Sequence, residues 1–298
     1  MNKQIIRSPF NWIGNKAKYI DVVNSLVVNK KYNNVYEPMM GSANILLNIN
    51  CECDNFQGND TIKLMPEIYN FLKVNDIEFY ESEFNDIMSQ WGEFAHKDYY
   101  YQFRDDWNTL YLKNIMDKDF VLRTIMLFKM CSNSVIRFNR ENRFNSGFRG
   151  VDNCPFFKSI TITNIISQLN TLVKHLKNRN YIFVNDDYFN INFEENSLII
   201  LDPPYLLSGG VYAEDISENK DWAIIQKMID SPCDFIYFNN EIDHNEINNN
   251  LNLLSEYQKL NLNTLDCSGQ NRRDSTKPIQ EILFYRIGEW DVKSMPLI

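Results

Sequence analysis

The chain has 298 residues, 44% of them hydrophobic, and a formal charge of −9 at neutral pH, enough for one large or two modest domains with an ordinary globular core. The acidic balance argues against nonspecific nucleic-acid binding by the whole surface. No apolar run is long enough to span a bilayer, Met1 to Arg7 lacks the apolar core of a signal peptide, and six cysteines without a C-x-x-C pair, with His96, His175 and His244 far apart, point to reduced thiols in a cytoplasmic protein and away from a metal site.

From the N-terminus, Pro9 to Lys16 is aromatic-rich, breaks at Gly14 and predicts a helix from Lys16 toward Val28. Lys16 falls in the first turn, where a cation gains nothing from the helix dipole. An anionic partner such as a ligand carboxylate explains it; a solvated lysine is the plainer alternative. Val35 and Tyr36 end a strand, and Glu37-Pro38-Met39-Met40-Gly41-Ser42 follows, with Ser42 placed to cap a helix carrying Ile45, Leu46 and Leu47. Strand, small-residue turn and helix N-terminus make a nucleotide or cofactor cradle, or simply a tight βα turn. A second short strand, Asn55 to Gln57, ends in Gly58-Asn59-Asp60. Asp60 stands where such folds hold a ribose, close to the expected ~20 residues after the first motif.

Between Lys63 and about Met130 the period becomes helical: Ile68, Tyr69, Leu72; Phe79, Tyr80, Phe84, Ile87; Tyr99, Phe103, Trp107, Leu110, Tyr111; Val121, Ile125, Phe128. The pattern predicts a helical insertion with a small core of its own. Residues 131–150 then predict a β-hairpin, with arms Val135 to Asn139 and Arg143 to Phe148 around a turn at Arg140-Glu141-Asn142. Lys129, Arg137, Arg140, Arg143 and Arg149 face only Glu141 in this stretch. A basic two-stranded ribbon fits the major groove of duplex DNA, where Arg reads guanine and Asn reads adenine; a solvated hairpin is the alternative.

The α/β alternation resumes with a helix from Asn164 to Asn178, a strand from Tyr181 to Val184 and Asp186-Asp187-Tyr188-Phe189. Leu198 to Leu201 is a short buried parallel strand that runs into Asp202-Pro203-Pro204-Tyr205. Ligands of open α/β sheets sit at that end of a strand. The prolines stiffen the loop and leave its carbonyls free. A carboxylate beside a fixed carbonyl accepts both hydrogens of an exocyclic amine, and the adjacent aromatic can stack on the base that carries it. Asp-Pro and Pro-Pro are also ordinary turn formers. Residues 206–218, with Gly209-Gly210, predict a lid. A helix (Lys220 to Ile229), a strand (Asp234 to Asn239), a helix near His244 to Leu254 and strands around Tyr257 to Leu262 and Gln280 to Ile287 complete the sheet.

In this order, the segments resemble the Dam-type family of DNA adenine-N6 methyltransferases over nearly the whole chain. Asn11 to Lys16 resembles the family's N-terminal cofactor motif, Glu37 to Ser42 its first sheet motif, Asn59-Asp60 its ribose-binding acid, Ser132 to Asn139 the start of its DNA-reading hairpin, and Asp202-Pro203-Pro204-Tyr205 its catalytic motif without change. The resemblance implies an α/β fold: a Rossmann-like S-adenosylmethionine-dependent methyltransferase sheet with an inserted, mostly helical target-recognition domain carrying a β-hairpin. The catalytic domain would comprise residues 1–62 and 155–298, and the insertion 63–154. S-adenosyl-L-methionine would be held by Trp12, Gly14, Lys16, Glu37, Pro38, Gly41, Asp60, Asp187 and Tyr188, with Lys16 on its carboxylate and Asp60 on its ribose. Asp202, Pro203, Pro204 and Tyr205 would be catalytic, with Tyr205 stacked on a flipped adenine. Asn11, Asn133, Val135, Arg137, Asn139 and Arg143 would meet double-stranded DNA at a GATC-like site, in a restriction-modification setting. The sequence departs from the family at Met39-Met40, at Ala43 and at Asn11, where a lysine facing DNA is common. A catalytically silent DNA- or protein-binding relative of the same fold is the competing reading.

Overall fold

A computed structural model describes residues 5–12, 14–90, 97–132, 136–150, 159–206, 217–243, 246–262 and 279–288. Apolar alternation organises the chain into one sheet with a core on each face. In β4 (Ser197–Leu201), Leu198 and Ile200 pack into one core and Ile199 and Leu201 into the other. β5 (Asp234–Asp243) divides Ile236 and Phe238 from Phe235 and Tyr237 in the same way. A strand buried on both faces gains from apolar residues at every position, which is why these runs are continuous.

The remaining strands are β1 (Lys31–Glu37), β2 (Glu52–Asn59), β3 (Tyr181–Val184), β6 (Glu246–Ile247), β7 (Gln258–Leu262) and β8 (Ile279–Arg286). Their order across the sheet is β3-β2-β1-β4-β5-β8-β7, with β6 paired to β5 alone. β1 is parallel to β2 and β4, β2 to β3, and β4 to β5, whereas β8 runs antiparallel to β5 and β7. The winding reverses between β1 and β4, so their C-terminal ends flank the crevice where ligands of doubly wound sheets bind. This is the Rossmann-like α/β architecture expected from the sequence.

The helices are α1 (Ile20–Leu26), α2 (Leu64–Val74), α3 (Glu81–Gln90), α4 (Lys97–Leu112), α5 (Lys118–Met130), α6 (Ser159–Lys177) and α7 (Glu218–Asp230). Asp117 caps α5 by accepting from Phe120 N at 2.8 Å, and Ser217 caps α7 by accepting from Lys220 N at 3.2 Å. The insertion does not keep a core to itself. Trp107, Phe120 and Phe128 belong to the same apolar cluster as Leu198 and Ile236 of the sheet. Helical spacing identifies a buried face but not what that face meets. Tyr80 and Tyr99, which follow the same spacing, are exposed.

Three other local expectations change. The first helix begins as a 3-10 turn, Ala17–Tyr19, before α1. Ser42 caps no helix: residues 41–48 form successive turns, and the Glu37 carboxylate accepts from Leu46 N at 3.0 Å. The stretch before Leu254 is β6 followed by a 3-10 helix, Asn249–Leu254, opened by the Asn248 side chain accepting from Asn250 N at 3.0 Å. Asparagine favours such local closure over a regular helix. The expected lid and His244 lie outside the described residues except at the lid's ends. Of the described cysteines, Cys131 and Cys233 are buried, whereas Cys51 and Cys53 are half-buried.

Candidate active site

The C-terminal ends of β1, β2 and β4 open into a cavity of about 900 Å³ whose wall includes Glu37, Gly41, Asp60, Asp187, Asp202 and Pro204. Trp12, Gly14, Lys16, Pro38 and Tyr188 also line it, so each residue assigned to the cofactor from the sequence faces one space. The cradle is braced from behind. Asn59 is 1% exposed, and its amide donates to Pro38 O at 3.0 Å and to Asp186 O at 2.9 Å, tying together the segments that follow β1 and β3. Asp60 accepts from Gly41 N and from Ile62 N, both at 2.9 Å. Gly41 has φ +47°, and a Cβ there would lie 2.6 Å from Trp12 Nε1. The glycine is therefore required by the indole that packs on it. Asp187 accepts from Phe189 N at 2.9 Å, and the buried Tyr188 donates its hydroxyl to Ile224 O at 3.1 Å. Phe189, 41% exposed, stands on the same wall beside Tyr188.

Four carboxylates line this cavity: Glu37, Asp60, Asp187 and Asp202. Burial pushes the Glu37 carboxyl up to about 8 against the pull of the Leu46 amide, with Asp202 and Asp60 adding to the rise. Burial likewise raises Asp60 to about 6 although two backbone amides oppose it. Asp202 is also raised, by burial first, while the Lys16 charge and the Tyr205 hydroxyl hold it down. Its Oδ1 is covered and has no hydrogen-bond partner among the described residues. A group of acids held above their usual range suits a ligand that brings positive charge.

Lys16, 5% exposed, is the buried cation of the site among the described residues, where Arg140 and Lys220 are exposed on the wall. Its Nζ donates to Gly14 O at 2.6 Å and lies 2.9 Å from Asp202 Oδ2 and 3.5 Å from Glu281 Oε1, so its three protons face three acceptors. It also lies 4.9 Å from the centroid of the Tyr205 ring. Lys16 lines the cavity, as its expected facing of a ligand carboxylate requires, and pairs there with the carboxylate of the Asp-Pro-Pro-Tyr loop. Glu281 was missed in the sequence. It is an acid on β8, which folds back beside β5, and nothing in its local pattern announces the site.

The residues assigned to DNA divide. Asn133 and Val135 lie outside the described residues. Arg137 is exposed on the hairpin, which is closed by antiparallel bridges Phe138–Phe144 and Cys131–Phe148 rather than by continuous strands. Asn139 Oδ1 accepts from Glu141 N at 3.0 Å and Arg143 N at 2.9 Å, so its carbonyl serves the turn. Arg143 Nε lies 3.9 Å from the exposed Glu141. Asn11 accepts from Lys129 Nζ at 3.1 Å, bringing a lysine of α5 to the position where the sequence lacks one. The hairpin is anchored by Asn108 of α4, whose amide receives Phe144 N at 2.7 Å and donates to Phe144 O at 3.0 Å, and by Tyr100, which donates to Ser146 O at 2.9 Å. Its tip reaches the cavity, where Phe138, Asn139, Arg140 and Asn142 form part of the wall. Among the described residues no helix is long and apolar enough to cross a membrane, and no three His, Cys, Asp or Glu side chains gather to hold a metal.

A family model described as D12 class N6 adenine-specific DNA methyltransferase matches residues 12–229. The chain is similar to the modification methylase StsI of Streptococcus sanguinis, 26% identical over 233 residues covering 76% of this chain and 33% of that protein. It is 23% identical to the type II methyltransferase M.FokI of Planomicrobium okeanokoites over 283 residues, 91% of this chain and 41% of that one. The chain thus spans about a third of one of these relatives and about two fifths of the other. A third, the type II methyltransferase M.MjaIII of Methanocaldococcus jannaschii, is 26% identical over 210 residues, 66% of this chain and 68% of that one. Among solved structures, the rRNA methyltransferase aviRa from Streptomyces viridochromogenes matches with a TM-score of 0.41 and 6% identity over 94% of this chain and 88% of that one.

Proposed function

The chain belongs to the D12 class N6 adenine-specific DNA methyltransferases, and on that premise we propose that it transfers a methyl group from S-adenosylmethionine to the exocyclic amine of an adenine in a short duplex DNA site. The observation that carries this reading is the place of Asp202. It leaves β4 at the reversal of the sheet, in one cavity with the Glu37–Asp60 cradle, and its charge is balanced by Lys16.

Bound S-adenosylmethionine supplies a methyl group activated by a positive sulfonium. Glu37, Asp60 and Asp202 suit that charge, we assign Asp60 to the ribose hydroxyls, and Asp187, Tyr188 and Phe189 border the remaining wall. Lys16 is assigned to Asp202, since its donors are already engaged there, at Glu281 and at Gly14 O.

An aromatic amine is a poor nucleophile because its lone pair is delocalised into the ring. Asp202 and the Pro203 carbonyl accept its two hydrogens and favour a tetrahedral nitrogen with its lone pair free. The protein's share of catalysis is this positioning. Tyr205 stacks on the base, which must leave the duplex to reach the loop. Residues 63–154 serve recognition, with the hairpin as major-groove reader, and residues 1–62 and 155–298 serve catalysis. A GATC-like site is the preference we assign, in keeping with the resemblance, and protection of DNA beside a restriction enzyme is the setting that the names of the relatives support.

Incubation with a labelled methyl donor and duplex DNA, followed by nucleoside analysis, tests the reading. N6-methyladenine is expected, and it disappears in Asp202→Ala while donor binding persists. Methyl transfer by Asp202→Ala at the wild-type rate rules out the mechanism.

A further inference from the structure

Glu281 lies at the far end of the chain from Lys16 and reaches the loop after β4 only because β8 returns antiparallel to β5. It is 8% exposed, yet four neighbours address its carboxylate. Tyr19 donates its hydroxyl to Oε2, Lys18 Nζ is 3.1 Å from Oε2, Lys16 Nζ is 3.5 Å from Oε1, and Tyr205 donates its hydroxyl to Oε1 at 3.3 Å. Burial alone would raise its pKa; Lys16 first, then Tyr19 and Lys18, hold it below the ordinary value, so it is ionised at neutral pH.

A buried acid this well partnered fixes what it touches. Two of its contacts belong to the reacting loop's environment: the hydroxyl of Tyr205, which sets the ring's position, and Lys16, which also binds Asp202. We propose that Glu281 is a positioning residue for methyl transfer, holding the Tyr205 ring for the target base and sharing Lys16 so that Asp202 stays a strong acceptor for the amine. This rests on the function proposed above. If Lys16 answered to Asp202 alone, its full charge would fall on that carboxylate and weaken it toward the substrate's hydrogens.

The Glu281 charge raises the Asp202 pKa, so its removal has a signed consequence: Asp202 must titrate at lower pH. Among the described residues, the other charged or titratable groups around the pair are Lys16, Lys18, Tyr19, Tyr205, Glu37 and Tyr237. None of these is altered by Glu281→Gln, which keeps the shape and one acceptor oxygen.

The test uses the full chain. The Asp202 carboxyl is titrated by carbon NMR in wild type and Glu281→Gln, and kcat, KM for DNA and donor affinity are measured across pH. We expect the Asp202 titration and the acid limb of kcat to move to lower pH, kcat to fall on the order of ten-fold, donor affinity to hold within about two-fold, and Glu281→Asp to recover part of the rate. An unmoved Asp202 titration, or wild-type kcat in Glu281→Gln, overturns the proposal. Should Glu281→Gln fail to fold, Tyr205→Phe carries the test, because it keeps the ring and removes the hydroxyl that Glu281 holds and that also bears on Asp202; unchanged kcat and KM for DNA in that variant overturn the proposal. A wild type that transfers no methyl group to adenine in any DNA defeats the functional reading instead, and the NMR titration still decides whether Glu281 governs Asp202.

Discussion

Glu37 offers a direct measure of how the cavity meets a positive ligand. Burial lifts its pKa to about 8, so the side chain is about 99% protonated at pH 6 and about 75% protonated at pH 7.5 by the same equilibrium. A cation favours the ionised form, and apparent affinity scales with the fraction of competent protein. Between these pH values the ionised fraction of Glu37 climbs roughly twenty-fold, and donor affinity should climb with it. Asp60, at about 6, contributes about two-fold over the same window. Glu37→Gln retains an acceptor for Leu46 N and should flatten the dependence to that residual. Calorimetry in buffers of different ionisation enthalpy reads both the affinity and the proton released. The linked effect on stability has the opposite sense: a carboxyl raised from 4.5 to about 8 by folding costs stability progressively as pH rises through that interval. A donor affinity that is flat from pH 6 to 7.5, with no proton released, would refute the idea that Glu37 faces positive charge.

Gly41→Ala should weaken donor binding, because a Cβ would stand 2.6 Å from Trp12 Nε1 at a residue with φ +47°; the left-handed backbone alone costs about 1–2 kcal/mol. Tryptophan fluorescence and calorimetry follow it, and wild-type affinity with unchanged emission contradicts the packing. Arg137→Ala should cost ~1–3 kcal/mol at the preferred site and relax choice at one base pair. Methylation of a panel of single-base variants tests this, and an even loss across the panel makes Arg137 a phosphate contact instead.

The strands were legible because alternation and β-branched runs report burial on a sheet directly. Asp60 and Asp202 could be placed at one cavity because a strand's C-terminal end can be read from where its apolar run stops. What escaped were pairings across the chain. Nothing near Lys16 states that it will meet Asp202, and nothing near Glu281 separates it from the other acids, since both contacts depend on how strands are ordered. Local polar chemistry misled for a similar reason. Ser42 has the right side chain for a cap, but Glu37 supplies the acceptor from the end of β1. The aromatic spacing of α4 and α5 revealed buried faces without showing that they join the core beneath the sheet.

The tip of the hairpin, through Phe138, Asn139, Arg140 and Asn142, forms one wall of the cavity that Asp60 and Asp187 form on another side. On the proposed function, an element assigned to reading bases is also part of the container for the donor, and the two occupants would be coupled through it. Thermodynamic reciprocity then sets a rule: whatever factor the donor applies to the affinity for DNA, DNA applies to the affinity for the donor. The sign can differ between the charged donor and its neutral by-product, because only the former answers to the carboxylates behind the hairpin. Methyl transfer would then alter the grip on DNA by changing a charge several residues away from any base contact, making release of the site a consequence of the reaction itself.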